Sequence, residues 1–404
     1  MSYDYEYYSL LVNNVDSASA DTTLHEPSLR FEEVRDIPIL ENTEDYECAI
    51  ETFKIDTKTL PAFIPTIREG YSTETIYTVA VEFRVTTQGE ENDLHYLSSQ
   101  NVQFRPQDET LSVPAILENG NINYSSGYYN IYNFEFFIVL VNHALRTAMN
   151  HAVTALNALA SNSYSDTSCP YFIFDKATGL ISLYAPVAGF NRDLGIYATI
   201  HLNKPLYRLF NSLPFVLKSA TYYDLTSVIP GSGATFATIT QEFFSINMQN
   251  FGAVNVEIVD DPPQIDGTTG TTGRNYYVVY QDYSTLETWS PVDSLVITSN
   301  TMPVKSSMRS AQHSYIDGIQ TTRGSADGTE FEITDFKAGS YTNGVIYTPS
   351  EKRWLNMNQR TQLKRINIEV FWRNKLNNAL VPLKLNSGGS FSLKFVFRKL
   401  RENS

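Results

Sequence analysis

The histidines come closest, in residue type and spacing, to a catalytic or metal-binding pattern. There are six: His25, His95, His143, His151, His201 and His313. His143 and His151 share one predicted helix, but a His-Glu-x-x-His zinc helix needs ligands four residues apart. Eight residues of helix rise by about 12 Å, which is too far for one ion. We therefore predict no metal and no cofactor, and assign the histidines ordinary polar roles.

Two groups of acidic residues have residue types that could serve catalysis, but their sequence surroundings do not support it. Asp260 and Asp261 are paired acids, yet neighbours in a strand point to opposite faces, so they fit a loop entry better than acid–base catalysis. His313 and Asp317 could form half of a dyad, but no nucleophile accompanies them. Walker and Gly-x-Ser-x-Gly motifs are absent from the sequence. We predict that the protein is not an enzyme.

Glycines spaced by three, Gly267, Gly270 and Gly273, superficially resemble a phosphate-binding loop. No apolar strand precedes them and no helix follows, so an exposed loop is the better interpretation. A second polar segment, residues 305–329, contains Arg323 and is also predicted to be an exposed loop.

A tyrosine-rich turn region precedes the predicted helix. Tyr124, Tyr128, Tyr129 and Tyr132 could form a glycan- or receptor-binding patch, since aromatic faces stack on sugars. Packing against the helix that begins at Phe134 is the favoured alternative.

Charge is distributed unevenly along the chain. The formal net charge is −14, yet residues 351–404 carry 12 Lys and Arg against 3 acids. The basic segment fits a solvated strand face, a phosphate-binding face, or a surface that pairs with the acidic part of a neighbouring copy. The charge asymmetry favours the third interpretation over the second. The candidate contact residues are Lys364, Arg365, Lys394 and Arg398.

Alternating hydrophobicity dominates the elements that must position these residues. Residues 366–372, 391–397 and 79–85 alternate apolar with polar side chains, which indicates strands with one apolar face. In the segment 79–85 the polar face contains Glu82 and Arg84. A dozen or more such short strands predict a mainly β protein.

One long amphipathic helix is predicted at about 134–159, from apolar residues at three- and four-residue steps. We divide the chain into an extended arm (1–36), a β-sandwich core (37–118 and 285–404) and an insertion (119–284) that contains the helix.

The polar, acidic arm is predicted to become ordered on a partner subunit. Its candidate contact residues are Asp4, Glu6, Asp16 and Glu26. The two cysteines, Cys48 and Cys169, cannot form a disulfide framework, which favours folding in a reducing compartment. The sequence shows neither a signal peptide nor an apolar run long enough to span a membrane.

Five segments carry a family resemblance: Tyr46–Ile55, and residues 60–65, 297–304, 333–336 and 353–356 with the closing strands. Together they resemble the minor capsid, penton-type jelly-roll proteins of adenovirus-like, virophage and Polinton-like double-stranded DNA viruses. The resemblance covers the outer two-thirds of the chain and rests on structural segments, not catalytic motifs.

This resemblance implies a jelly-roll β-sandwich whose terminal parts share one sheet system and whose insertion projects outward. It implies a structural virion protein that assembles inside the host cell as a homopentamer at particle vertices. Other capsid proteins and a host receptor would be further partners. The chain has Arg323-Gly324-Ser325 in place of an Arg-Gly-Asp motif, so integrin binding is unsupported.

Three alternatives remain open. The first is a major capsid or receptor-binding spike protein of a similar particle. The second is a carbohydrate-active β-sandwich enzyme, with Asp260, Asp261 and Asp317 as its acids. The third is a packaging protein that contacts nucleic acid through the basic C-terminal segment.

Overall fold

The protein is described from a computed structural model of the whole chain. The described residues are 4–13, 29–55, 60–85, 94–107, 109, 111–116, 122–158, 164, 168–225, 237–246, 248, 256–260, 275–304, 329–333, 345–375, 380–385 and 389–400. Some predicted residues lie outside these ranges: Asp16, Glu26, Asp261, Gly267, Gly270, Gly273, His313, Asp317 and Arg323.

Nineteen strands and four α-helices follow one another along the described residues. They are β1 (Tyr5–Asn13), β2 (Arg30–Val34), β3 (Tyr46–Ile55), β4 (Glu74–Val85), β5 (Leu94–Gln103), α1 (Phe134–Ala158), β6 (Tyr171–Asp175), β7 (Leu180–Pro186), α2 (Val187–Phe190), β8 (Ile196–Leu202), α3 (Lys204–Leu209), β9 (Phe215–Asp224), β10 (Thr238–Ile246), β11 (Val256–Asp260), β12 (Asn275–Tyr280), α4 (Leu286–Trp289), β13 (Val292–Ser299), β14 (Thr329–Ile333), β15 (Val345–Tyr347), β16 (Leu355–Asn356), β17 (Arg365–Asn374), β18 (Leu380–Pro382) and β19 (Ser390–Lys399).

The chain divides into two compact units. The sandwich unit comprises Met1–Phe63, Pro114–Tyr128 and Ser290–Ser404, and the barrel unit comprises Ile64–Val113 and Tyr129–Trp289. Each unit combines segments that are distant in sequence.

Two antiparallel sheets build the sandwich unit. The first has the strand order β1-β19-β3-β15, and β16 also pairs with β3. The second has the order β14-β13-β17-β18, and β2 also pairs with β17. The Tyr8 hydroxyl on β1 donates a hydrogen bond to Glu33 on β2 at 2.6 Å, which links the two sheets.

The predicted alternation holds in both β17 and β19, but the two strands belong to different sheets. Ile366 and Ile368 are buried on β17, and Phe391 and Phe395 are buried on β19. Phe391 meets Phe53 of β3 edge to face, with ring centroids 5.4 Å apart. Sequence periodicity indicates which face of a strand is buried, but not which strand is its neighbour.

The described ends of the predicted arm are strands of the sandwich unit. β1 pairs with β19 from Tyr5 to Asn13, and β2 pairs with β17 from Arg30 to Val34. Residues 14–28 lie outside the described residues. At Tyr5–Asn13 and Arg30–Val34 the structure therefore differs from the predicted arm, because these segments pair with strands of the same chain. The reason is apolar alternation, because Tyr8 and Leu10 on β1 are buried.

Five strands close the barrel of the second unit, in the order β10-β8-β4-β5-β9. A four-stranded sheet, β11-β12-β7-β6, completes the strands of this unit. Helix α1 packs against β4, β5 and β6, close to its predicted position. None of the helices among the described residues is long and apolar enough to cross a membrane.

Both faces of β4 are buried, which the sequence did not predict. Tyr77 on one face meets Phe137 of α1, with ring centroids 5.6 Å apart. On the other face, Ala80 belongs to a barrel-interior cluster. Its other buried members are Leu97, Tyr222 and Phe243.

The predicted domain division differs from the structure at β4 and β5. The prediction placed residues 37–118 in the sandwich core, but the segment Ile64–Val113 belongs to the barrel unit. The physical cause is hydrogen bonding, because β4 pairs with β5 and β8.

Packing accounts for two of the tyrosines before the helix. Tyr128 and Tyr129 are buried, and the Tyr129 hydroxyl donates a hydrogen bond to the Ser72 carbonyl at 2.9 Å. The Tyr129 ring contacts Phe104, with centroids 5.1 Å apart. These two side chains are therefore part of a core and not of a sugar-binding surface.

Candidate functional site

The outer face of the first sandwich sheet combines exposed aromatic side chains with half-buried basic ones. Cross-strand register places Tyr5 beside Arg398, and Leu11 beside Ser392. We call this surface the aromatic–basic face. It consists of Tyr5, Tyr7, Leu11, Trp354, Lys394 and Arg398.

Stacking holds the side chains of this face together. The Lys394 ammonium lies 4.3 Å from the centroid of the Tyr7 ring. The Arg398 guanidinium lies 4.2 Å from the centroid of Trp354. The Tyr5 ring stacks on the same Trp354 ring, with centroids 6.4 Å apart. Cation–π contacts of this kind are worth about 0.5–1 kcal/mol each at exposed sites.

Among the described strands, β1 lies at the edge of its sheet, and it has few features that would prevent pairing with another chain. Tyr7 is 53% exposed and Leu11 is 67% exposed. The strand contains neither lysine nor proline. Natural edge strands usually carry such residues, because a long apolar edge invites pairing with another chain. The aromatic–basic face therefore has the character of a contact surface.

The four predicted basic contact residues have different surroundings. Arg365 forms an ion pair with Glu32 of β2, and Arg398 forms one with Glu47 of β3. Lys394 contacts Tyr7, and Lys364 is exposed. Within the described residues, basic side chains of the C-terminal segment thus meet acids near the N-terminus of the same chain.

The acidic residues predicted as subunit contacts make fewer side-chain contacts among the described residues. The Asp4 main-chain carbonyl accepts a hydrogen bond from the Lys399 amide at 3.1 Å, so this residue extends the pairing of β1 with β19. Glu6 is an exposed residue of β1. Asp16 and Glu26 lie outside the described residues. A contact of these acids with a neighbouring copy stays a prediction.

A second candidate site lies inside the barrel, around the buried carboxylate of Glu82. Its Oε2 atom lies 2.7 Å from Nε2 of His201, and its Oε1 atom lies 2.5 Å from Nδ1 of His95. The Lys218 ammonium lies 2.8 Å and 2.7 Å from the two oxygens. Ser245 Oγ lies 2.7 Å from Nδ1 of His201.

We call these residues, with Arg84, the Glu82 cluster. The Arg84 Nε atom lies 3.8 Å from Glu82 Oε1, and the Arg84 guanidinium donates to the Tyr197 hydroxyl at 2.7 Å. Glu82 and His201 are completely buried. Buried charges require such partners, because removing an ion from water costs about 5 kcal/mol.

Strand register assembles the Glu82 cluster from all five barrel strands. β4 contributes Glu82 and Arg84, and the remaining strands contribute one residue each. Ser245 and His201 are directly paired across β10 and β8. These side chains share the inner face with the apolar cluster, since the His201 ring stacks on Phe243 at 5.5 Å.

Burial and charge determine the protonation states. Burial alone would raise the pKa of the Glu82 carboxyl, but hydrogen bonds from His201 and His95 and the charge of Lys218 hold that pKa well below its ordinary value. Burial lowers the pKa of His201, and contact with Glu82 opposes this shift. Burial likewise lowers the pKa of Lys218. Glu82 is therefore an anion beside a neutral His201.

The Ser245–His201–Glu82 chain has the order of a nucleophile, a base and an orienting acid. However, Ser245 and His201 are buried, so a substrate from solvent does not reach the hydroxyl. Among the residues that the structure describes, no three His, Cys, Asp or Glu side chains are placed to hold a metal ion. The chemistry of the cluster is internal charge compensation.

Sequence reasoning missed the Glu82 cluster. The alternation of β4 predicted Glu82 and Arg84 on a polar face, and the structure places them inside a barrel. The available signal was the set of ionisable residues at alternate positions of several strands, including His95, His201 and Lys218. Only strand pairing shows that they converge.

Comparison with known proteins identifies the family. The model of the family described as Sputnik minor capsid protein V18/19 matches residues 6–399. The chain belongs to this family. It is 29% identical to "Uncharacterized protein V18" of Sputnik virophage over 128 residues, which is 30% of this chain and 71% of that protein.

Two solved structures resemble the fold over almost the whole chain. A chain of the Sputnik virophage particle, determined by cryo-EM, has a TM-score of 0.67 at 20% identity and covers 98% of both chains. A crystal structure of mavirus penton protein has a TM-score of 0.53 at 16% identity, covering 98% of this chain and 100% of that one. These matches confirm the predicted mainly β, jelly-roll fold.

Family membership determines the general role. The chain is a minor capsid protein, a structural component of the virion. Proteins of this kind assemble with one another and with other capsid components. This confirms the resemblance found in the sequence.

Proposed function

We propose that this minor capsid protein is a penton-type subunit that forms a homopentamer at the particle vertex and has no enzymatic activity. The observation that carries the proposal is the similarity in fold to mavirus penton protein over 98% of this chain. Membership of a minor capsid family supports a vertex role over that of the major coat.

Within this proposal, the aromatic–basic face contacts a second copy of the chain. Tyr7 and Leu11 give an apolar edge strand that is open to pairing. Aromatic side chains and arginine are also enriched in protein interfaces. The paired arginines, Arg365 and Arg398, support each subunit from within, whereas Lys364 and Lys394 remain the proposed intersubunit cations.

The mass of the full-length protein in solution tests the proposal. We expect a pentamer by native mass spectrometry, and monomers for the double variant Tyr7→Ser/Leu11→Ser. Leu217→Ser on β9 is the matched control, because Leu217 is 55% exposed in the barrel unit. This control should remain pentameric, and circular dichroism should show the same strand content for all three proteins.

Other masses or ligands would favour the alternatives. A trimer would contradict the vertex proposal and favour a major capsid or spike protein. A pentamer that survives the double variant would contradict the proposed contact surface alone. DNA binding that weakens steeply with salt and disappears in Lys364→Gln/Lys394→Gln would favour a packaging role.

A further inference from the structure

Among the described residues, histidines and fully buried ionisable side chains are distributed very unequally between the two units. All four histidines among the described residues belong to the barrel unit: His95, His143, His151 and His201. The fully buried charged or imidazole side chains, Glu82 and His201, also belong to it. The buried polar residues described for the sandwich unit are uncharged, namely Thr43, Ser290, Ser294, Ser299 and Asn374. Among the described residues, a change of pH near neutrality therefore acts mainly on the barrel unit.

The hydrogen bonds of the Glu82 cluster assign its protons at neutral pH. An ionised carboxylate only accepts, so His201 donates from Nε2 to Glu82. His201 Nδ1 then accepts from the Ser245 hydroxyl. Arg84 and Lys218 supply two positive charges against the one negative charge of Glu82. The cluster thus already has an excess of one positive charge.

Acid adds positive charge to this closed site. The groups that face Glu82 are Arg84 on its own strand, His95 on β5, His201 on β8, Lys218 and Tyr222 on β9, and Ser245 on β10. Arg192 adds positive charge near Lys218. Glu82 is the one carboxylate among these described groups, so a protonated His201 would face cations without a second counter-ion among them. Like charges in a buried site repel strongly.

We propose that the Glu82 cluster makes the barrel an acid-triggered latch, which holds β4, β8 and β10 together at neutral pH and releases them in mild acid while the sandwich unit stays folded. This inference does not depend on the number of subunits. Release would expose the apolar lining of the barrel, including Phe243, to a new partner.

The direction of the pH effect follows from the shifts. The pKa of His201 is lowered from 6.5 in the folded chain. Below pH 6.5 the unfolded chain therefore binds the proton more readily than the folded chain, and the stability of the barrel falls as the pH is lowered. The pKa of Glu82 is lowered from 4.5, so its stabilising contribution is present above pH 4.5 and is lost below it. Both groups weaken the barrel in acid, in successive steps.

Hydrogen exchange of the full-length protein tests the latch. Labelling at pH 7.5, 6.5, 5.5 and 4.5, with times scaled for intrinsic exchange, follows peptides from each unit separately. Between pH 7.5 and 5.5 we expect opening of β4, β8 and β10 to increase by up to about tenfold, the limit that an ordinary histidine pKa of about 6.5 sets for the one proton of His201. Peptides from β17 and β19 should keep their protection. Equal loss of protection in both units, or none in the barrel, would overturn the proposal.

Variants separate the latch from general acid sensitivity. His201→Gln keeps a side-chain amide donor near Glu82 but removes the protonation site of His201, so barrel protection should persist to pH 5.5. His143→Gln is the control, because His143 is exposed on α1, and its barrel should open as the parent does. If His201→Gln fails to fold, His201→Asn, which also carries an amide donor and has no ring proton to gain, should open less in acid than the parent. Opening equal to the parent would contradict the proposal.

Discussion

The sandwich and barrel units both bury an interior between β-strands, but the two interiors differ in composition. The sandwich unit buries apolar residues such as Phe53 and Phe395 and keeps its ion pairs, such as Arg365–Glu32, near water. The barrel unit buries an anion with cations and imidazoles around it. Apolar packing is insensitive to pH, whereas buried charge compensation depends on every proton in the site.

This difference suggests different demands on the two units. Buried ionic groups are often no better for stability than apolar residues of the same size, but removing one partner is costly. The sandwich unit therefore suits a permanent framework. The Glu82 cluster instead makes the barrel unit dependent on conditions.

The largest effect is expected from removing the anion of the barrel. Glu82→Leu leaves Lys218 without its carboxylate, so it should destabilise the barrel unit by about 3–5 kcal/mol. Denaturant unfolding, with hydrogen exchange to assign the transition, measures the loss. Glu242→Leu is the control, because Glu242 is exposed on β10. Similar losses for the two variants would mean that the cluster does not hold the barrel closed.

A smaller loss of stability is expected in the sandwich interior, and this loss should not depend on pH. Ile366 is completely buried on β17, so Ile366→Val should cost about 0.5–1.5 kcal/mol. The free energy of unfolding of the sandwich unit should fall equally at pH 7.5 and 5.5. Ile200→Val on β8 is the matched variant of the barrel unit. It removes the same methyl group, but from a unit whose stability is expected to fall in acid. A sandwich transition that shifts with pH would remove the contrast between the units.

Local patterns explain which parts of this structure could be predicted. The periodicity of residues 134–159 predicted α1, observed at Phe134–Ala158, because a helix face depends on neighbouring residues only. The alternation of β17 and β19 likewise predicted strands. The segments that resemble penton-type proteins added the jelly roll, which strand patterns alone do not distinguish from other sandwiches.

Pairing between distant strands explains what could not be predicted. β1 alternates Tyr8 and Leu10 on one face, a strand signal that was outweighed by the acidic composition of its surroundings. Glu82 lies 119 residues from His201, and nothing in either segment specifies that they meet. A polar face on a strand is normally exposed to solvent, and only closure of the barrel buries it.

The smallest effect is expected at the ion pair between the two ends of the chain. Arg365 and Glu32 are 59% and 49% exposed, so water screens their attraction. Glu32→Gln should therefore change the stability of the sandwich unit by about 0–1 kcal/mol, and added salt should reduce even that change. Thermal unfolding at low and high salt provides the measurement. A loss as large as that of Glu82→Leu would mean that the sandwich unit also relies on ions, and that the contrast between the units lies in their histidines alone.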